Sequence, residues 1–264
     1  MKKILLTLTV LVICLSCVLG FAGCNKKTDW DYINSNGELV VGYTVFAPIS
    51  YVDVKTNELI GFDVELAKEV GKKLGVKVTF QEIEWDQKIN EINSKTIDCI
   101  WNGMTITDEI KKNLEVSDAY LLNKQVAIVA KNSTIKTLED LKTKAIGAEA
   151  GSAGALCIEN NEVLKGITFT KVAKQMNLLT ELKAGSLDAG VMDSIMAGYY
   201  LLDENYKDFK ILENVDFAKE EYGIGFRKGD VVLTKKVNDA IAELKAEGKV
   251  LEIAKKYNLE SSLK

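Results

Sequence analysis

From Glu38 onward, short β-rich runs alternate with stretches whose apolar residues recur at helical spacing, which predicts an α/β protein with a mainly parallel sheet. Leu39–Tyr43, Val76–Phe80 and Ile97–Trp101 read as strands. Between them, Val64, Leu66, Ala67, Val70 and Leu74 mark one face of a helix over 63–74 with Asp63 as its N-cap, and Ile89 and Ile92 mark another over 86–94. A comparable unit follows, with strands near 125–130, 145–148 and 187–192 and helices near 153–159 and 177–184. Tyr222–Phe226 is a further strand candidate, and two amphipathic helices, 231–245 and 249–257, close the chain. The halves echo each other where a helix feeds a strand through an acid: 92–103 with Asp98, and 182–193 with Asp188. No Pro-, Gly- or Ser-rich linker separates them, so ordered strands must join the two units.

The first 24 residues are different. Met1-Lys2-Lys3 precedes an apolar stretch that runs from Ile4 to Gly23 and ends at Cys24, before the polar switch at Asn25-Lys26-Lys27. About 20 apolar residues are enough to span a bilayer, but the basic start and the small residues before the cysteine describe an export signal, 1–23, with a cleavage site. The ending resembles a bacterial lipobox, with Cys24 as the acylated residue, 24–28 as a lipidated tether and Cys17 as a second candidate. Phe21 stands where that pattern prefers Leu. An uncleaved anchor is the alternative. Either form places the body outside the cytoplasmic membrane, anchored to it.

Composition narrows the chemistry. Apolar residues make up 47 % of the chain and charged ones 27 %, which is ordinary for a globular protein. There is no histidine, one proline (Pro48) and one arginine (Arg227). Histidine-based metal sites and Ser-His-Asp or Cys-His catalysis are therefore closed, and neither a metal, a cofactor nor a catalytic group is expected. Removing 1–23 takes away Lys2 and Lys3 and moves the formal charge from −4 to −6, with the lysines scattered, which argues against nucleic acid as a partner. Cys99 and Cys157 read as buried free thiols, since no spacing suggests a disulfide framework.

Several runs, in order, resemble the extracytoplasmic solute-binding proteins of ABC importers, polar amino-acid group (family 3). They are Gly37–Gly42, Gly61–Ala67, Asp98–Thr107, Ser117–Tyr120, Asp140-Leu141, Gly147–Ser152, Leu187–Ala189 with Asp193, and Tyr222–Gly229. The resemblance implies a type II periplasmic-binding-protein-like fold: two α/β lobes, 29–122 with 222–264 and 123–221, joined by two hinge strands near 122–125 and 216–222 around a ligand cleft. It implies a monomer that hands a small amine-bearing solute, a polar or basic amino acid, to a membrane permease driven by an ATPase.

Carried over by position, the resemblance offers Phe46 and Trp85 as aromatic walls, Asn102, Gly103 and Thr105 as polar contacts, and Glu149, Ser152 and Asp193 from the second lobe. Asp193 matches the family carboxylate that holds a ligand's ammonium. Bland alternatives stand beside these: core aromatics for Phe46 and Trp85, helix caps for Thr105 and Thr107, an N-cap for Asp193. Where the family places an arginine that forks onto the ligand's α-carboxylate, this chain has Ile110, and Glu149 stands where glutamine is common. Lys111 lies about 100° round the helix. The expected pocket holds two acids and no matched base, which favours a cationic ligand: a basic amino acid, or an amine without a carboxylate. The helix start, Thr105 and Lys111 holding a carboxylate together is the competing reading. A cleft enzyme of dehydratase type using Glu149 and Asp193 as acid and base, and an adhesin or sensory partner, are the other function classes.

Overall fold

A computed structural model describes residues 28–264 except 216 and 218; the export segment and Cys24 lie outside the described residues. The first part comprises α1 (Asp29–Asn36), β1 (Glu38–Tyr43), β2 (Tyr51–Val52), β3 (Leu59–Ile60), α2 (Phe62–Leu74), β4 (Lys77–Glu82), α3 (Lys88–Asn93), β5 (Cys99–Thr105), α4 (Asp108–Asn113) and β6 (Leu114–Val116). Then follow β7 (Leu121–Ala130), α5 (Leu138–Leu141), β8 (Ile146–Glu149), α6 (Ala153–Asn160), β9 (Thr170–Val172), α7 (Asn177–Ala184), β10 (Ala189–Asp193), α8 (Ser194–Tyr200) and β11 (Phe209–Ile211). The chain closes with β12 (Lys219–Arg227), α9 (Val231–Ala246) and α10 (Lys249–Lys256).

The main sheet runs β4-β1-β5-β12-β7-β10-β8-β9. Its two ends are parallel, as the alternating pattern predicts: β1 pairs with β4 and β5, and β8 pairs with β10 and β9. The middle is antiparallel, because the chain passes between the halves along β7 and returns along β12. These strands pair with each other only at one end of each, Leu121–Lys124 against Lys219–Tyr222. Beyond that crossing, β7 continues against β10 and β11, and β12 against β5 and β6.

The sequence echo has a shared physical basis. The Asp98 carboxylate accepts the N–H of Val40 at 2.9 Å, and the Asp188 carboxylate accepts that of Ala145 at the same distance. Each acid also donates its own N–H back to the same strand, to Val40 O at 2.8 Å and Ala145 O at 2.7 Å. An acid at the helix-to-strand junction thus staples each incoming strand to its parallel neighbour. One large core cluster runs through both halves, from Phe62, Trp101, Tyr120, Tyr222 and Phe226 to Val126, Ile128, Leu178 and Met192, and a smaller one of Ala127, Val129, Ile146, Val191 and Phe217 lies within the second. Cys99 and Cys157 are free thiols, the first buried and the second half-buried.

One expectation changes. Asp63 is not the N-cap of α2; that position is Gly61. Its carboxylate is buried and accepts the Gly103 N–H and the Tyr120 hydroxyl, both at 2.8 Å. The sole arginine lies far along β12 from the crossing. Arg227 donates to Asp29, to the carbonyls of Ile92 and Ile97 (2.8 Å to the latter), and to Asp98 at 3.3 Å. It therefore ties α1, the end of α3 and the start of β5 together, and only a five-donor fork can reach all of them. Replacing it leaves the buried Asp98 charge unneutralised, so Arg227→Met is expected to cost about 3 kcal/mol and lower Tm by roughly 10 °C. Lys235→Met, an exposed helix pair, should move Tm by under ~2 °C in the same thermal melt. Equal shifts would contradict this account of Arg227.

Candidate functional site

A cavity of about 260 Å³ opens between the halves, lined from the ends of β5, β8 and β10 and the segments around them. All eight residues singled out in the sequence, Phe46, Trp85, Asn102, Gly103, Thr105, Glu149, Ser152 and Asp193, come to its lining. Their local roles differ. Phe46 and Trp85 are mostly buried but present surface to the cavity, Phe46 packing edge-on to Tyr222 at 6.3 Å. Gly103 sits at φ +58°, and a Cβ there would lie 2.7 Å from the Phe46 ring, so the aromatic wall needs glycine at this strand position. Asn102 is committed to its own half. With its amide oriented by the surrounding donors and acceptors, it donates to Ser50 Oγ and Thr44 O and accepts from the Thr44 N–H and hydroxyl. That uses its full capacity and makes it a positioning group for the cavity wall. Thr105 donates to Glu220 at 3.1 Å, while Thr107, not Thr105, caps α4. Ser152 caps α6 by accepting the Ala155 N–H.

Asp193 precedes α8, yet its side chain makes no cap hydrogen bond. The carboxylate turns instead to the crossing strands. Asn123 (2.5 Å) and Gln125 (2.9 Å) donate to it from β7, the Tyr222 hydroxyl (2.5 Å) from β12, and Gln175 (2.7 Å) from the loop before α7. Gln175 also accepts the Asp193 N–H at 2.9 Å, holding the residue from both sides. The Asn123 and Gln125 amides each reach on to Glu220, at 3.1 and 2.9 Å. Burial pushes Asp193 and Glu220 above the ordinary carboxylate range against these donors. Glu149, lifted first by burial and then by the Asp193 charge, is pushed up to about 8.

Sequence reasoning missed two lysines of the lining, Lys88 and Lys171, and three acids, Asp86, Glu109 and Glu159. Lys88 lines the same cavity, so the expected pocket of two acids without a base is corrected. Trp85, Lys88 and Ile92 share one face at i, i+3 and i+7, so a lysine in a core register was the available signal. Ile110 lines the cavity as an apolar residue, whereas Lys111 is exposed and belongs to a groove elsewhere, which removes it as a cleft cation. Asn123 and Gln125 were legible only as alternate residues of a strand, and Gln175 sits in a loop with no periodic signal. Across the cleft the halves touch. Gly151 lies against Asp86, where a Cβ would meet backbone at 2.9 Å; Lys174 pairs with Glu82 at 2.5 Å; the Tyr51 and Tyr199 rings are 5.6 Å apart.

With this geometry in place, comparison decides the family. The family described as bacterial extracellular solute-binding proteins, family 3, matches residues 39–260. The chain belongs to that family. It is 32 % identical over 216 residues to a protein named probable histidine-binding protein of Neisseria gonorrhoeae, covering 80 % of this chain and 79 % of the relative. Among solved structures, an ABC uptake transporter substrate-binding protein from Streptococcus pneumoniae with bound histidine superposes with a TM-score of 0.83 at 34 % identity, over 88 % of this chain and 97 % of that one. An ancestral amino acid-binding protein, described as a precursor of cyclohexadienyl dehydratase, gives 0.79 at 31 % identity, over 87 % and 99 %. The family member thus has the two-lobed type II fold, and no helix among its described residues is long and apolar enough to cross a membrane.

Buried acids that hold protons more tightly than usual dominate the pH response, with Asp98, Asp193, Glu220 and Asp230 all raised by burial in the same direction as Glu149 and Asp63. Glu149 at about 8 and Asp63, pushed by burial to about 7, both hold protons more tightly folded than unfolded. The folded state therefore binds more protons between the unfolded and folded values, and stability falls as pH rises through that window. Lys88, pushed down by burial to about 8, acts with the opposite sign only above that pH. Urea midpoints at about pH 5.5 and about pH 8 should show wild type losing stability on the order of a few kcal/mol, with Glu149→Gln losing visibly less. A midpoint that rises with pH in wild type would contradict the assignment.

Proposed function

We propose that this family member is the solute-capturing component of an ABC importer and binds a small amine-bearing solute, a polar or basic amino acid, in the interlobe cavity. In this reading the lobes are 29–122 with 222–264 and 123–221, the eight lining residues named above are its ligand contacts or their immediate supports, and Cys24 carries a lipid that tethers the mature chain outside the membrane. The chain acts as a monomer whose closed form is presented to a permease and its ATPase.

The observation that carries the reading is the charge of the lining. Five acids, Asp86, Glu109, Glu149, Glu159 and Asp193, face the cavity against two lysines, Lys88 and Lys171. The two buried acids among them, Glu149 and Asp193, are both pushed up, so an ammonium at this place would neutralise charge that the fold has left costly. An anionic solute would meet the same acids as repulsion. Similarity to proteins named for histidine binding supports the same solute class. Turnover is not part of the reading: four neutral donors hold Asp193, which suits a fixed counter-charge better than a proton-shuttling group.

Calorimetric titration with L-lysine, L-arginine, L-histidine and L-glutamate tests this. At least one basic amino acid should bind, be recovered intact after prolonged incubation, and lose at least ~30-fold in affinity on Asp193→Asn. Tight glutamate binding, or affinity that survives Asp193→Asn, would refute the proposal.

A further inference from the structure

Resting on that functional reading, we infer that Lys88 is the group that receives the solute's carboxylate, so that the captured solute is a zwitterionic amino acid and not a plain amine. Lys88 opens α3, one turn after Trp85, and is only 8 % exposed while lining the same cavity as Asp193 and Glu149. Its Nζ donates to Trp85 O at 3.1 Å and, across the cleft, to Gly151 O at 2.8 Å, and lies 4.8 Å from the centre of the Trp85 ring. An ammonium has three N–H donors. Two are spent on backbone carbonyls, and the third remains for the cavity.

The charge balance points the same way. Lys88 takes part in no ion pair among the described residues. Glu149, Glu109 and Asp86 act on it at longer range, and together they do not outweigh its burial. A buried cation without a partner is expensive, and an apolar residue at this core register of α3 would pack at less cost. Such a residue is kept where a ligand supplies the missing charge. Three other cations among the described residues that could compete for this role are engaged or placed elsewhere. Lys171 is exposed and pairs with Glu159 at 3.0 Å, Lys111 lies outside the cleft, and Arg227 is held by Asp29 and Asp98. Because the Gly151 carbonyl belongs to the opposite half, a carboxylate bound at Lys88 sits on the seam that closure forms.

The test titrates wild type and Lys88→Met with L-lysine, L-arginine and L-histidine and with their decarboxylated counterparts, cadaverine, agmatine and histamine. Wild type should prefer at least one amino acid over its amine by roughly 30-fold or more, the scale of losing one partner of a buried charge pair. Lys88→Met should abolish that preference while leaving amine affinity within about threefold. Lys88→Gln is a second neutral variant with the same expectation, and the wild-type preference itself needs no variant. An amine that binds wild type as tightly as its amino acid overturns the inference but leaves the functional reading standing. So does a preference that survives both neutral variants, or a gain in amine affinity on losing the lysine, which would make Lys88 an internal competitor for the cation site. Binding of neither amino acids nor amines to wild type overturns the functional reading and this inference together.

Discussion

Burying the Asp193 carboxylate with no cation among the described residues in contact is the constraint around which the middle of the molecule is arranged. Its four donors come from three places: the two strands that cross between the halves and the loop before α7. A carboxylate offers about four acceptor positions, so the set is complete only when β7, β12 and that loop are all in register. The Asn123 and Gln125 amides are shared with Glu220, a second acid on β12, which makes the crossing a neutral bridge between two like charges. Such a network is costly if half satisfied. It therefore defines the crossing geometry more narrowly than the short ladder of Leu121–Lys124 against Lys219–Tyr222 does.

Closure draws on contacts of a different kind. The Lys174–Glu82 pair is roughly 40 % exposed on both sides and contributes little after solvent screening. The approach of Gly151 to Asp86 and the Tyr51–Tyr199 contact are matters of shape. None of these distinguishes one solute from another. Only the buried charges Asp193, Glu149 and Lys88 differ in energy according to what lies between them, and a ligand shifts a conformational equilibrium only by its differential affinity for the two states. In the proposed reading, the selectivity of closure resides in those three groups.

Much of this was legible in the sequence because it is periodic or local. The alternation of runs gave the α/β class, and the echo of Asp98 and Asp188 marked two equivalent helix-to-strand staples. The lining was legible by resemblance, since strand ends and the glycine-bearing turns around Gly103 and Gly151 leave a pattern along the chain. The exceptions are residues whose partners are remote in sequence. Asp63 looks like a helix cap from its neighbours alone; its actual partners, Gly103 and Tyr120, are 40 and 57 residues away. Asn123, Gln125 and Gln175 read as ordinary polar positions until β10 is laid beside β7 and the Asp193 carboxylate appears opposite them. Lys88 was visible as a lysine out of place in an apolar register, but periodicity alone reads such a residue as a snorkelling side chain at the surface.

The single arginine connects these points. A guanidinium at position 110 would grip a carboxylate through a planar fork, fixing the orientation of the solute as well as its charge. This chain spends its one fork on Asp29, Asp98 and two backbone carbonyls, where multiple fixed acceptors need it. Position 110 is given to an isoleucine that packs with Trp85, Ile92 and Ile100. In the proposed reading, Lys88 supplies charge but no fork from the same lining, so orientation comes from elsewhere: the Trp85 ring, the Gly151 carbonyl, and the acids Glu149 and Asp193 of the cavity. Under the proposed function, a pocket built this way discriminates by the separation between a point cation and two acids, which makes the distance between the solute's own charges the quantity it measures.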